Sequence, residues 1–269
     1  MKYKMLVLDM DDTLLTDDHL ISEKNKEMLL KAQELGVYVV LASGRPTPAM
    51  EKYAQELHLA KYGSYMLAYN GAVIKRMSDS KILFEQSLTQ TEIHELYDFS
   101  VANNTRIITY INDEIICESD CPYAELEAHI TQMPLRRVES FKNAVDQSAI
   151  KCILLQDPEV LIGVQDTLRA AMPHKAVTTS KPFFLEVTQK GIDKAASLAR
   201  LGKELGIDAS EMIAVGNAHN DLSMIEFAGL GVWVDNVHPD LRAKGDVIVA
   251  SNNNDGVAEV VVQQHRRRV

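Results

Sequence analysis

The chain has 269 residues and a net charge of −10, from 28 basic and 38 acidic side chains, with 46% apolar and 25% charged residues. That balance suits a soluble globular enzyme of one large or two medium domains and argues against nonspecific nucleic-acid binding, which needs phosphate-neutralising cations. No apolar run approaches the ~20 residues of a membrane span, and Cys117, Cys121 and Cys152 are too sparse and odd a set for a disulfide framework.

The chain opens on a strand, Lys4–Asp9, which leaves no room for a cleavable signal. A cytoplasmic location is therefore expected, and the cysteine usage agrees with it. The strand ends in Asp9-Met10-Asp11-Asp12-Thr13. In an extended chain alternate side chains share a face, so Asp9 and Asp11 can lean over one site while Met10 turns away. Two acids held together at the end of a buried strand are costly to ionise unless a cation sits with them. They are also suited to supply a nucleophile and a proton shuttle.

Ser22–Leu35 reads as a helix capped by Ser22 and stopped at Gly36. Val37–Ala42 is a second apolar strand, ending in Ser43-Gly44-Arg45-Pro46. A hydroxyl there can bind an oxyanion, and Gly44 lets backbone N–H groups approach it closely. Equally, Ser43 can cap the helix that Pro46 opens. Tyr65–Tyr69 is a third strand, followed by Asn70-Gly71 and a hairpin of Ala72–Lys75 with Lys81–Phe84.

The middle of the chain changes character. Thr89-x-x-Glu92 is a capping box for a helix to about Asn103. Arg106–Ile111 and Glu114–Cys117 form a hairpin around Asn112-Asp113, Ala149–Gln156 is a strand, and Asp157-Pro158 starts a helix to about Met172. Phe183–Val187 is expected to return to the main sheet. Cys117 and Cys121 lack a matching Cys/His pair nearby and read as buried thiols rather than a metal half-site. An α+β insertion at 84–184 inside an α/β domain is the economical reading.

The last third resumes the strand–helix rhythm with Gly191-Ile192-Asp193-Lys194, a helix Lys194–Leu205, and strands Met212–Val215, Gly231–Val234 and Asp246–Ala250. Short strands, apolar on both faces and separated by helices, mark a buried parallel sheet. A lysine in the first turn of a helix opposes the macrodipole, a penalty that an anion in front of it would reverse. Strand Met212–Val215 runs into Gly216-Asn217-Ala218-His219-Asn220-Asp221 and a helix Asp221–Phe227. Met224 and Ile225 read as core, and His219 as a solvent-facing loop residue rather than a ligand. The basic run 265–268 reads as a solvated tail.

The acidic turn, the Ser43 loop, Lys194 and the Asn217 turn all follow predicted strands or open helices, at the end of the sheet where open α/β folds place their sites. In this order they resemble the four motifs of the haloacid dehalogenase (HAD) superfamily, most of whose members are phosphatases. Asp9-Met10-Asp11-Asp12-Thr13 is similar to Asp-x-Asp-x-Thr, and Gly216–Asp221 to Gly-Asp-x-x-Asn-Asp. Asn70-Gly71-Ala72-Val73-Ile74 and Asn254-Asp255-Gly256-Val257-Ala258 add a likeness to the Cof-type branch. The resemblance implies a doubly wound HAD-like core of residues 1–83 and 185–269, with 84–184 as an inserted cap that selects the substrate.

It further implies a Mg²⁺-dependent phosphatase of small phosphorylated metabolites. Asp9 would be the nucleophile and Asp11 the acid/base, with Ser43, Gly44, Lys194 and Asn220 holding the phosphate. Asp9, the Asp11 carbonyl, Asn217 and Asp221 would hold the metal. Two positions depart from the family pattern. Asp12 stands where Gly is frequent, and Asp tolerates unusual turn geometry. Asn217 stands where an aspartate usually binds metal, which leaves an amide oxygen without full negative charge. A phosphotransferase or sugar phosphomutase would share the same aspartyl-phosphate, and a degenerate phosphate-binding regulatory protein is the alternative that Asn217 motivates. No membrane partner is implied, and no oligomeric state.

Overall fold

The computed structural model describes residues 2–266, the side chains of 264–266 excepted. The tail expected at 265–268 lies outside the described side chains. The chain divides into two compact units, Met1–Phe84 with Asp193–Val269, and Glu85–Ile192.

The first unit is built on an eight-stranded sheet in the order Val247–Val249, Leu230–Val234, Met212–Gly216, Met5–Leu8, Tyr38–Ala42, Tyr65–Ala68, Val73–Arg76, Ile82–Glu85. Neighbours from Val247–Val249 to Tyr65–Ala68 are parallel, and Val73–Arg76 returns antiparallel on Tyr65–Ala68. Met5 and Val7 pack into a core with Val40, Leu67, Leu198, Leu201, Met212 and Trp233. Leu6 and Leu8 point the other way and are buried too. Strands covered on both faces need the near-continuous apolar sequence seen here.

Side chains at the helix ends accept the backbone N–H groups left over there. Ser22 Oγ accepts from the Asn25 N–H at 3.2 Å at the head of Glu23–Glu34. Asp193 accepts from the Ala196 N–H at 2.9 Å at the head of Lys194–Leu205. That helix ends at Gly206, whose φ of +66° is one that other residues rarely adopt.

Leu8 pairs with Leu41 on one side and Val215 on the other. After the central strand the chain builds one side of the sheet, and it reaches the opposite side only after the second unit. Met5–Leu8 and Met212–Gly216 therefore flank the switch point of the sheet, where the connections leave a crevice at the carboxyl ends of the strands.

The second unit is α+β. Its six strands are ordered Lys175–Lys181, Phe184–Gln189, Cys152–Leu155, Arg106–Ile111, Glu114–Cys117, Leu135–Arg137. They are antiparallel except for the last pair. Ile93, Leu96, Phe141, Leu154, Leu161 and Leu185 form a core of its own. The Thr89–Glu92 capping box is present at the head of Gln90–Ala102. All three cysteines are free and buried.

One expectation is corrected. The strand read at Phe183–Val187 does not return to the main sheet: it forms as Phe184–Gln189, between Cys152–Leu155 and Lys175–Lys181. The second unit accordingly runs to Ile192. An apolar run carries no mark of which sheet it joins, and its partner Lys175–Lys181 is largely polar and exposed.

Candidate active site

The first strand stops at Leu8, and Asp9 continues in extended backbone, its N–H donating to the Val215 carbonyl at 3.0 Å. The chain then turns tightly through Met10–Leu14 with Asp12 at φ +57°, ψ 16°. This left-handed conformation explains why glycine is a natural occupant of position 12 and why aspartate can replace it. The Asn236 side-chain amide braces the turn by donating to the Asp12 carbonyl at 2.7 Å.

Asp9 is 5% exposed, and Lys194 and Asp221 are fully buried. The Lys194 ammonium donates to Asp9 Oδ1 and to Asp221 Oδ1, each at 2.6 Å. The helix that starts with Lys194 thus carries its unfavourable charge directly against two carboxylates of the protein itself. Burial works against the ammonium, but Asp221 and Asp9 outweigh it and hold Lys194 above the usual lysine range. Burial and the neighbouring Asp221 charge push Asp9 up to about 7, although Lys194 draws it down.

Asp221 is the hub of the fourth segment. Its Oδ2 accepts from the N–H groups of Asn217 and Ala218 at 3.0 and 3.1 Å, while its Oδ1 takes Lys194. It packs so closely on the strand end that a Cβ at Gly216 would lie 2.7 Å from its Cγ. Asn217 is half-buried, and its Oδ1 accepts from the Thr13 hydroxyl at 3.2 Å, which ties the fourth segment to the first.

Asp11 does not share partners with Asp9. The extended strand has ended before it, and Arg45 grips its carboxylate with two bonds, Nε to Oδ2 at 2.9 Å and Nη2 to Oδ1 at 2.6 Å. Burial raises the Asp11 carboxyl, yet the Arg45 guanidinium more than reverses this and holds it below its ordinary value. Arg45 was not singled out from sequence. No local spacing links residues 11 and 45; the pairing of Leu8 with Leu41 brings their loops side by side.

Ser43 is buried, and its Oγ accepts from the Arg45 N–H at 3.1 Å. Of the two readings open for Ser43, capping of the helix is not observed: Thr47–Glu56 is preceded by Pro46, with no side-chain capping bond. Asn70, at φ +56°, donates its N–H to the Ser43 carbonyl at 2.8 Å. Its side chain would stand 3.2 Å from a Cβ at Gly44, and it accepts from Asn220 Nδ2 at 3.3 Å. Ser43, Gly44 and Asn220 thus meet around Asn70, which the sequence marked as a turn and as part of the Cof-type likeness but not as a site residue.

The donor chemistry suits a hard divalent cation. Asp9 and Asp221 share one ammonium and Asp11 is matched by Arg45, so one carboxylate of the Asp9–Asp221 pair is left uncompensated. Carboxylate, amide and main-chain oxygens are the ligand types that Mg²⁺ selects. The Asp9 carboxylate and the Asn217 amide oxygen could hold it. Asp221, the other expected ligand, has both oxygens engaged within the protein, where it supports the Lys194 ammonium and the turn at Asn217. No described helix is long and apolar enough to cross a membrane.

Comparison with known proteins agrees with this architecture. The family model for haloacid dehalogenase-like hydrolases matches residues 6–261. YxeH of Bacillus subtilis is 31% identical over 262 residues, covering 96% of this chain and 97% of its own. The 5-amino-6-(5-phospho-D-ribitylamino)uracil phosphatase YcsE of the same organism is 30% identical, with coverages of 96% and 94%. The crystal structure of a haloacid dehalogenase-like hydrolase from Bacteroides thetaiotaomicron superposes with a TM-score of 0.94 at 37% identity, over 97% of this chain and 99% of that one. The chain belongs to the haloacid dehalogenase-like hydrolases, in their Cof-type branch, and is a phosphatase of that superfamily.

Proposed function

We propose that the protein hydrolyses small phosphorylated metabolites, sugar phosphates or compounds of similar size, through a phosphoryl group carried on Asp9, with Mg²⁺ as cofactor. The observation that carries this reading is the buried Asp9–Lys194–Asp221 chain at the switch point of the sheet. A carboxylate oriented by an ammonium, in turn anchored by a second buried carboxylate, is a positioned nucleophile. The net negative charge of the group would repel a phosphate dianion without a cation.

Asp9 attacks phosphorus as the ester oxygen leaves. Asp11 delivers a proton to that oxygen and later takes one from the water that hydrolyses the acyl phosphate. Arg45 pairs with Asp11 in its carboxylate form. To act as an acid it must take up a proton, which weakens that ion pair. Lys194 stays charged and faces the phosphoryl oxygens, and the Ser43 hydroxyl and nearby N–H groups hold the others. Mg²⁺, when bound by Asp9, the Asp11 carbonyl and Asn217, would supply positive charge against the phosphoryl group. This division of labour matches a reaction governed mainly by positioning and charge stabilisation.

Residues 85–192 are proposed to choose the substrate. All the groups above lie outside them, and the second unit has its own core. The 5-amino-6-(5-phospho-D-ribitylamino)uracil phosphatase among the relatives supports a small phosphorylated substrate. The test is a screen of purified protein against phosphorylated sugars, nucleotides and coenzymes, with and without Mg²⁺. Metal-dependent release of phosphate from a subset, abolished by Asp9→Asn, is expected. Transfer to a sugar acceptor instead of water would favour the phosphotransferase or mutase reading. Phosphate binding without turnover would favour a regulatory protein.

A further inference from the structure

The proposed phosphatase chemistry makes no use of three side chains that meet on the surface of the first unit. His219 follows the strand Met212–Gly216, in the turn of the fourth segment. His238 and Asp240 belong to the segment after Leu230–Val234. His219 Nε2 lies 2.9 Å from Asp240 Oδ2, and His238 Nδ1 contacts the other carboxylate oxygen, Asp240 Oδ1. The two imidazole centroids are 5.0 Å apart. One ligand atom from each residue falls within 4.8 Å of the other two.

We propose that His219, His238 and Asp240 form a second metal site, for a zinc-class divalent transition ion, separate from the magnesium site of the phosphatase. Two imidazoles and one carboxylate are the donor set of open Zn²⁺ sites, which keep further positions for water. Mg²⁺ prefers oxygen donors and gives up its water reluctantly, so it competes poorly here. An ion bonded to all three at about 2.0–2.1 Å requires the two imidazole–carboxylate contacts to open around it. The three side chains are 61%, 61% and 57% exposed and free to do so. The ion would take the imidazole nitrogens and carboxylate oxygens that now face one another.

The backbone beneath the site is already braced. The His238 N–H donates to the Asn217 carbonyl at 3.1 Å, the Leu241 N–H to the His238 carbonyl at 3.0 Å, and the Asp221 N–H to the Ala218 carbonyl at 3.0 Å. A metal here would clamp the turn that carries Asn217 and Asp221 to the segment after the next strand. His219, read from sequence as a loop residue rather than a ligand, thereby gains a role, because its partners lie about twenty residues away and no local spacing predicts them.

The test is Zn²⁺ titration of the full chain by calorimetry in saturating Mg²⁺, with Co²⁺ absorption as a second probe of imidazole coordination. One equivalent of Zn²⁺ is expected in the wild type and also in Asp9→Asn, which removes the carboxylate charge from the proposed magnesium site. It should survive His265→Gln. His219→Gln and Asp240→Asn should each weaken it by more than the about 10–100-fold typical of losing only an outer-shell partner. Both changes are at exposed positions, and His238→Gln provides a third independent reading. The proposal is overturned if these variants bind Zn²⁺ as the wild type does, or if Asp9→Asn alone abolishes uptake. Because the readout is binding, it is independent of whether the phosphatase substrate has been found.

Discussion

Replacing Asp221 by alanine separates support of the site from metal ligation. The substitution removes one of the two carboxylates on the buried Lys194 ammonium and strands the N–H groups of Asn217 and Ala218, bonded at 3.0 and 3.1 Å. Breaking a buried ion pair from one side costs about 3–5 kcal/mol, and each stranded donor about 1–3 kcal/mol. Asp9 still pairs with Lys194, and water can enter the vacated space, so the terms do not add in full. A loss of about 3–5 kcal/mol is expected, a fall in Tm on the order of 10 °C at about 2–4 °C per kcal/mol. The single tryptophan, Trp233, is fully buried in the same unit, so its fluorescence during urea unfolding reports that unit. The titration is done in EDTA, where a metal ligand has no metal to lose. Stability in EDTA within about 0.5 kcal/mol of wild type, with only the Mg²⁺ requirement altered, would refute the supporting role.

Asn217→Asp should lower the half-saturating Mg²⁺ for activity, since a full charge replaces an amide oxygen; an unchanged requirement removes Asn217 from the coordination shell. Arg45→Met should move the alkaline limb of the kcat/KM profile to higher pH, because Asp11 must be protonated to act as the acid and the guanidinium that favours its carboxylate is gone; an unmoved limb disconnects Arg45 from Asp11. In EDTA, the Asp9 contribution to stability should be complete below its unfolded value of 3.8 and lost as pH rises through about 7, because a raised carboxyl binds its proton more tightly when folded. The stability–pH curve of Asp9→Asn should lack that decline, and equal curves would contradict the raised value. Exchanging residues 85–192 for the corresponding unit of a related phosphatase should reorder the substrates while keeping Mg²⁺ dependence; a folded chimera with the original ranking places specificity in the core loops.

The parts of this protein that read clearly from sequence are those fixed by local chemistry. Ser22 and Thr89 cap the helices expected of them, and the hairpin strands Arg106–Ile111 and Glu114–Cys117 form at their expected limits. Asp9 and Asp221 were visible as acids at strand ends, but their union through Lys194 spans 185 residues between Lys194 and Asp9, and only the family likeness joined them beforehand. Arg45 and Asn70 were missed as site residues for the same reason. Strands Leu135–Arg137 and Lys175–Lys181 were missed because one is very short and the other polar, so neither shows an apolar pattern. The support that Asp221 gives to Lys194 was not legible in the sequence, because a carboxylate in such a motif looks the same whether it faces an ion or an ammonium and two amides.

The claim on which the mechanism rests is that Asp9 carries the phosphoryl group. It is tested by mixing the enzyme with p-nitrophenyl phosphate and Mg²⁺, quenching during turnover, reducing with borohydride, and sequencing the N-terminal peptide by mass spectrometry. An acyl phosphate at Asp9 is reduced to the alcohol, so homoserine should appear at that position in the wild type. It should be absent in Asp9→Asn and in wild type without substrate. Continuing turnover with Asp9 unmodified, together with an active Asp9→Asn protein, would contradict the account.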